Sequence, residues 1–197
     1  TKLREICCDP ALLFQNYKGG SAKLETCLEL ISNAVEGGHK ILLFSQFTSM
    51  LSVIENRLKE QKDGPAIRYL KLTGETSKIK RRDLVEKFQN GEADVFLISL
   101  KAGGTGLNLT AADMVIHYDP WWNVAAQNQA TDRSHRIGQK NNVTVFKLIA
   151  KDTIEERILK LKEKKKDLAD KIISAEGISA ATLSKDDLLE LISGTRE

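Results

Sequence analysis

The runs Ile41-Leu42-Leu43-Phe44 and Val95-Phe96-Leu97-Ile98 carry no polar side chain at any position. Successive side chains of a strand point to opposite faces, so each run presents apolar groups to both sides of its sheet. Both faces must then be covered, which is the condition of a parallel strand with helices packed above and below. Apolar runs bounded by polar or Gly-containing segments predict five strands, at Lys40 to Phe44, Ile67 to Leu72, Asp94 to Ile98, Met114 to Tyr118 and Val143 to Ile149. Between them the spacing turns helical. Leu24, Leu28 and Ile31 follow a candidate cap at Ser21; Leu51, Ile54 and Leu58 follow Thr48; Ile79, Leu84, Val85 and Phe88 follow Ser77. This alternation predicts an α/β fold, a doubly wound parallel sheet whose functional residues sit at the strand carboxyl ends.

After Ile149 the pattern changes. Residues 151–173 predict a charged helix with apolar positions at Ile154, Ile158, Leu161, Leu168 and Ile172, one stripe laid on the body and the charges in water. Ser174 to Ser184 is rich in small residues and predicts a linker, and Lys185 to Ile192 a short terminal helix. No apolar run is long enough to span a bilayer, and the polar opening Thr1-Lys2-Leu3-Arg4 is not a signal peptide. That opening lacks Met and reads as mid-chain.

Charge and cysteine usage narrow the chemistry. The 30 basic and 27 acidic side chains leave a net charge of +3, so any nucleic-acid footprint must be local. Cys7, Cys8 and Cys27 are odd in number and show no C-x-x-C or Cys/His ligand spacing, which argues against zinc and against a disulfide scaffold. They are expected as small packed apolar groups in a reducing compartment. His39, His117 and His135 stand apart from one another and from carboxylate clusters, so no metal site is expected.

Four segments carry candidate chemistry. Lys101 to Leu109 (KAGGTGLNL) follows a buried strand, and its glycines let backbone approach backbone and present N–H groups to an anion. Taken alone such a sequence is also an ordinary turn. Thr73-Gly74-Glu75-Thr76-Ser77 lies where a strand gives way to a helix, whose free N–H groups attract phosphate, although Ser77 as a plain cap serves equally well. Asp119-Pro120-Trp121-Trp122-Asn123 holds both tryptophans of the chain, one of which is expected to be a core anchor. In Gln129 to Gln139 (QATDRSHRIGQ), Arg133 and Arg136 stand three residues apart and leave one face of a helix. A planar guanidinium pair suits the charge that builds on a phosphoryl group in transfer; a solvated surface pair is the plain alternative.

Together these segments resemble the Swi/Snf family of helicase-like, DNA-dependent ATPases. Ile41 to Ser52, Leu70 to Phe88, Val95 to Asn123 and Gln129 to Gln139 are similar to four successive motifs of that family's second motor lobe, in its order and spacing, and the last matches the pattern D-R-x-x-R-I-G-Q. The likeness extends over roughly residues 1 to 190. It departs from the family at Thr73, where Asp is frequent, and at Val124 and Gln127, where Pro and Glu are.

The resemblance implies a RecA-like lobe over residues 21–150, a lead-in from a missing first lobe over 1–20, and a helix that braces the two lobes within 151–197. It implies Arg133 and Arg136 as arginine fingers, with Gly106, Gln129 and Asp132 lining the nucleotide cleft. Ser45, Gln46, Thr73, Gly74, Lys101, Gly104 and Thr105 fall on the DNA strand, Trp121 or Trp122 relays DNA contact to the arginines, and His135 positions them. The G-x-x-x-x-G-K-[ST] loop and D-E-x-H are absent from the chain, so ATP and Mg2+ are expected to be held mainly by the first lobe, and the chain alone is expected to be inactive. The implied function is the second lobe of an ATP-driven double-stranded DNA translocase, in the cytoplasmic nucleoid or the nucleus, acting on a DNA-bound protein cargo. The alternative is a non-catalytic DNA-binding or protein-interaction module that keeps the motor fold.

Overall fold

The computed structural model describes residues 1–14, 16–60, 66–103, 107–120, 142–161 and 163. Its centre is a five-stranded sheet of β1 (Ile41–Ser45), β2 (Tyr69–Leu72), β3 (Val95–Ser99), β4 (Met114–His117) and β5 (Thr144–Lys147). Every pairing is parallel and the spatial order is β2-β3-β1-β4-β5. The helices are α1 (Lys2–Cys8), α2 (Ala22–Glu36), α3 (Thr48–Glu60), α4 (Lys78–Gln89) and the single turn α5 (Leu100–Gly103), with a 3-10 turn at Pro10–Leu12 and helical backbone at residues 154–161. Among the described residues no helix is long and apolar enough to cross a membrane.

The doubly apolar strands do what their sequence requires. All positions of β1 and β3 are buried, and alternate side chains enter different cores. Ile41, Leu43, Val95, Leu97, Met114 and Ile116 pack with Leu24, Cys27 and Ile31 of α2 and with Met50, Leu51, Ile54 and Leu58 of α3. Leu42, Phe44, Phe96, Ile98 and Val115 pack on the other face with Leu84 and Phe88 of α4 and with Leu100, Ala102, Leu107 and Leu109. One sheet thus separates two cores, as strand alternation dictates. Cys8 and Cys27 are buried in the first core, the packed role expected of them.

Helices α2 and α4 hand the chain to the sheet in the same way. Gly38 (φ 78°) and Gly91 (φ 81°) take the left-handed conformation just past each helix. His39 N–H then reaches Ala34 O at 2.9 Å and Glu92 N–H reaches Lys87 O at 3.0 Å, the six-to-one bond that closes a helix with glycine. Ser21 and Ser77 cap the other ends, accepting from the Leu24 and Lys80 amides.

The structure corrects two local expectations. Ile79, assigned to the apolar stripe of α4, is 87% exposed; α4 buries Leu84 and Phe88, and Ile79 sits on the outward side of its first turn. Thr48 is the first helical residue of α3 instead of its cap. Within residues 1–20, helix α1 places Cys8 in the core. The linker at 174–184 and the helix at 185–192 lie outside the described residues.

Candidate nucleic-acid interface at the carboxyl edge

Strand register determines what meets at the carboxyl edge. Ser45 pairs with Ser99, Phe44 with His117 and Leu72 with Ile98, so β2, β3, β1 and β4 end at nearly one level. Thr73 and Gly74 therefore follow the end of β2, Lys101 the end of β3, and Gln46 the end of β1, on three adjacent strands. The sequence-predicted DNA residues among the described ones are gathered on one edge.

Each loop is fixed by its own short-range bonds. Thr73 N–H donates to Thr76 Oγ1 at 3.1 Å while Thr76 N–H donates to Thr73 O at 3.2 Å, which closes the turn ahead of α4. Gly74 lies exposed at its tip, and a β-carbon there would meet nothing within 4 Å. Its φ is not positive, so neither conformation nor crowding demands glycine. After β3, Ala102 N–H donates to the buried Ser99 Oγ at 3.3 Å, and Arg81 Nη1 donates to Ala102 O at 3.4 Å, tying α4 to the segment that enters the glycine-rich loop. Lys101 points outward, exposed.

Ser45 closes β1. It is fully buried, its hydroxyl donates to Asp119 Oδ1 at 2.5 Å, and it accepts from Phe47 N–H at 3.1 Å. The side chain is committed inside the protein and offers nothing to a ligand in this arrangement. Asp119, 1% exposed, also accepts the Gln46 N–H, at 3.2 Å to Oδ1 and 3.3 Å to Oδ2. Ser45 and Asp119 together thus aim the Gln46 backbone, and the Gln46 Nε2 atom is buried with no hydrogen-bond partner among the described residues. Burial raises the Asp119 carboxyl from 3.8 to about 6, against the opposing pull of the Ser45 hydroxyl, the Arg4 charge and the Gln46 amide. Arg4 belongs to the same group: its Nη2 donates to Pro120 O at 2.6 Å and its guanidinium carbon lies 5.9 Å from the Phe47 ring centroid. Burial lowers the Arg4 pKa, with Asp119 acting in the opposite direction.

The positioning roles of Asp119, Ser99 and Arg4 are not legible in the sequence. Asp119 and Ser45 are 74 positions apart, and no periodicity links them. Gly104, Thr105, Gly106, Trp121, Trp122, Gln129, Asp132, Arg133 and Arg136 lie outside the described residues, so the arginine pair, the cleft residues, the relay and His135 have no geometry here. No group of three or more His, Cys, Asp or Glu among the described residues could hold a metal ion.

Comparison with known proteins places the chain in a family. The helicase conserved C-terminal domain matches residues 22–138. The putative ATP-dependent helicase/translocase YwqA of Bacillus subtilis is 45% identical over 195 residues, 96% of this chain and 21% of that protein. The human chromatin-remodeling ATPase INO80 is 40% identical over 173 residues, 87% of this chain and 11% of that protein. This chain thus spans only about a fifth, or less, of the length of these relatives. Among solved structures, the Sulfolobus solfataricus SWI2/SNF2 ATPase C-terminal domain superposes with a TM-score of 0.71 at 36% identity, covering 97% of this chain and 78% of that one. The Sulfolobus solfataricus SWI2/SNF2 ATPase core in complex with dsDNA gives 0.71 at 39% identity, covering 89% of this chain and 36% of that one. An all-parallel sheet with flanking helices, motifs in family order and these matches lead to one conclusion: the chain belongs to the helicase conserved C-terminal domain family and is a RecA-like C-terminal lobe of the Swi2/Snf2 ATPase type.

Proposed function

We propose that this chain is the second motor lobe of an ATP-driven translocase that moves along double-stranded DNA. The observation that carries the proposal is the alignment of three adjacent strand ends, which brings Gln46, Thr73, Gly74 and Lys101 to one edge, the expected place for a ligand in an open parallel sheet. A DNA backbone running along that edge meets Gln46, the open tip at Gly74 and the Lys101 charge, and Gly104 and Thr105 follow Lys101 in sequence. Ser45 contributes by holding Asp119, which holds Gln46. That a Swi2/Snf2 core of the same fold is described in complex with dsDNA supports this. Arg133 and Arg136 then stabilise transition-state charge on a nucleotide whose cleft Gly106, Gln129 and Asp132 line from this side. The chain lacks the G-x-x-x-x-G-K-[ST] loop, so ATP and Mg2+ are bound by a first lobe, and this chain alone hydrolyses no ATP. Such a lobe works where duplex DNA is, in a nucleoid or a nucleus, against DNA-bound protein cargo.

The test joins the chain to a first lobe and measures ATPase with and without duplex DNA. Arg133→Ala or Arg136→Ala should lower DNA-stimulated kcat by about 10³-fold with DNA affinity nearly unchanged, the lower range for losing a transition-state arginine. Near-normal kcat in both variants would remove the arginine-finger assignment. Unstimulated ATPase in the parent two-lobe protein would favour a non-catalytic module.

A further inference from the structure

Both side chains of the Lys23–Glu155 ion pair are buried, at 6% and 0% exposure. Lys23 belongs to α2 and Glu155 to the helix at residues 154–161, so the pair bridges 132 positions of sequence. Glu155 Oε2 also accepts the Ala150 N–H at 2.8 Å, while Oε1 is buried without a hydrogen-bond partner among the described residues. The carboxylate thus has its Lys23 contact and one backbone bond to offset complete burial. Lys23 Nζ lies 5.4 Å from the centroid of the Tyr118 ring, within range for a cation over an aromatic face.

Tyr118 opens the segment in which Asp119 aims Gln46. Its hydroxyl donates to Cys8 O at 2.9 Å, and Ser21 Oγ donates to the same carbonyl at 3.2 Å. On the far side of that segment Arg4 donates to Pro120 O. Residues 118–120 are therefore gripped by α1 at two points and by Lys23 at a third. Lys23 in turn is held by a residue that follows β5.

A buried ion pair is weak evidence for stability, since apolar residues of similar volume serve as well or better, whereas removing one partner is strongly destabilising. What the charged pair adds is a defined position for the ammonium over the ring. We propose that Lys23 and Glu155 are positioning residues for the Tyr118–Pro120 segment, through which the helix after β5 sets how the chain leaves β4 into Trp121 and aims Asp119 at Gln46. The functional half of this inference rests on the motor-lobe reading; the geometric half does not.

The test compares Glu155→Gln, Lys23→Met and the double variant K23M/E155L. Trp121 and Trp122, the only tryptophans of the chain, directly follow Pro120 and report on the segment. The double variant restores apolar packing and should keep the parent's melting temperature. It should nonetheless show shifted tryptophan emission and an altered acrylamide quenching constant. In the two-lobe protein it should lower DNA-stimulated kcat by about 10- to 100-fold with DNA Kd and ATP KM little changed, the scale of a small misplacement remote from the chemistry. The single variants should lose melting temperature as well. Parent-like emission and quenching in a stable double variant overturns the proposal, and so does unchanged stimulation alongside altered fluorescence. If the unsubstituted two-lobe protein shows no DNA-stimulated ATPase, the motor reading fails and the fluorescence result still decides the geometric claim.

Discussion

Asp119→Asn separates the cost of burying a carboxylate from the benefit of its hydrogen bonds. Burial raises the Asp119 carboxyl from 3.8 to about 6, so between those values the folded protein holds a proton that the unfolded chain releases. Stability falls with rising pH wherever the native state binds more protons, so Asp119 favours folding most below about pH 4 and this contribution is lost as pH rises through about 6. The change corresponds to roughly 3 kcal/mol at 1.36 kcal/mol per pH unit. Asparagine keeps an Oδ1 acceptor for the Ser45 hydroxyl and the Gln46 amide but has no proton to lose. Urea unfolding of both proteins at intervals from about pH 4 to about pH 7 should show the parent losing up to about 3 kcal/mol relative to the variant, with equal m-values. Parallel pH profiles would refute the reasoning. A parent that gains on the variant as pH rises would do so more sharply, since it would mean that Arg4 outweighs burial and holds the carboxyl below its ordinary value.

Gly74→Ala should leave stability within about 0.5 kcal/mol, as for a surface change away from special features, because its β-carbon meets open space. If a phosphate approaches that backbone, the same variant should weaken DNA binding while leaving the log–log salt slope unchanged, since no charge is removed; an unchanged DNA Kd would remove Gly74 from the interface. Phe88→Ala should cost about 3–5 kcal/mol in denaturant unfolding as a fully buried aromatic, and Ile79→Ala, 87% exposed on the same helix, should cost less than about 0.5 kcal/mol. Cys8 and Cys27 should resist alkylation in the native protein, the Cys27 thiol being pushed up to about 12 by burial, and all three cysteines should label once the chain is unfolded.

What the sequence disclosed and withheld follows from the range of the forces involved. The five strands and the caps at Ser21 and Ser77 were legible because apolar runs and capping are local properties. Ile79 misled because it fits the 3.6-residue rhythm, and only the docking of Leu84 and Phe88 shows which arc of α4 faces the sheet. Ser45 was legible as the residue at a strand end, but its bond to Asp119 was not, since nothing near it in sequence announces that partner. Lys23 and Glu155 each look like one more charge on a solvated helix; their pairing is a product of the tertiary fold alone.

The strand order also bears on how the chain is made. β1 pairs with β3 and β4 and never with β2, which follows it in sequence. A ribosome releasing the chain from its amino end therefore exposes Ile41 to Phe44, apolar on both sides, long before Val95 to Ser99 is available to lie against them. β2 emerges in the interval, before its partner β3. Pairing between segments far apart in sequence is slow and leaves aggregation-prone edges open meanwhile. During synthesis the burden of shielding β1 falls on α2 and α3, the helices of its Ile41 and Leu43 core that flank it in sequence.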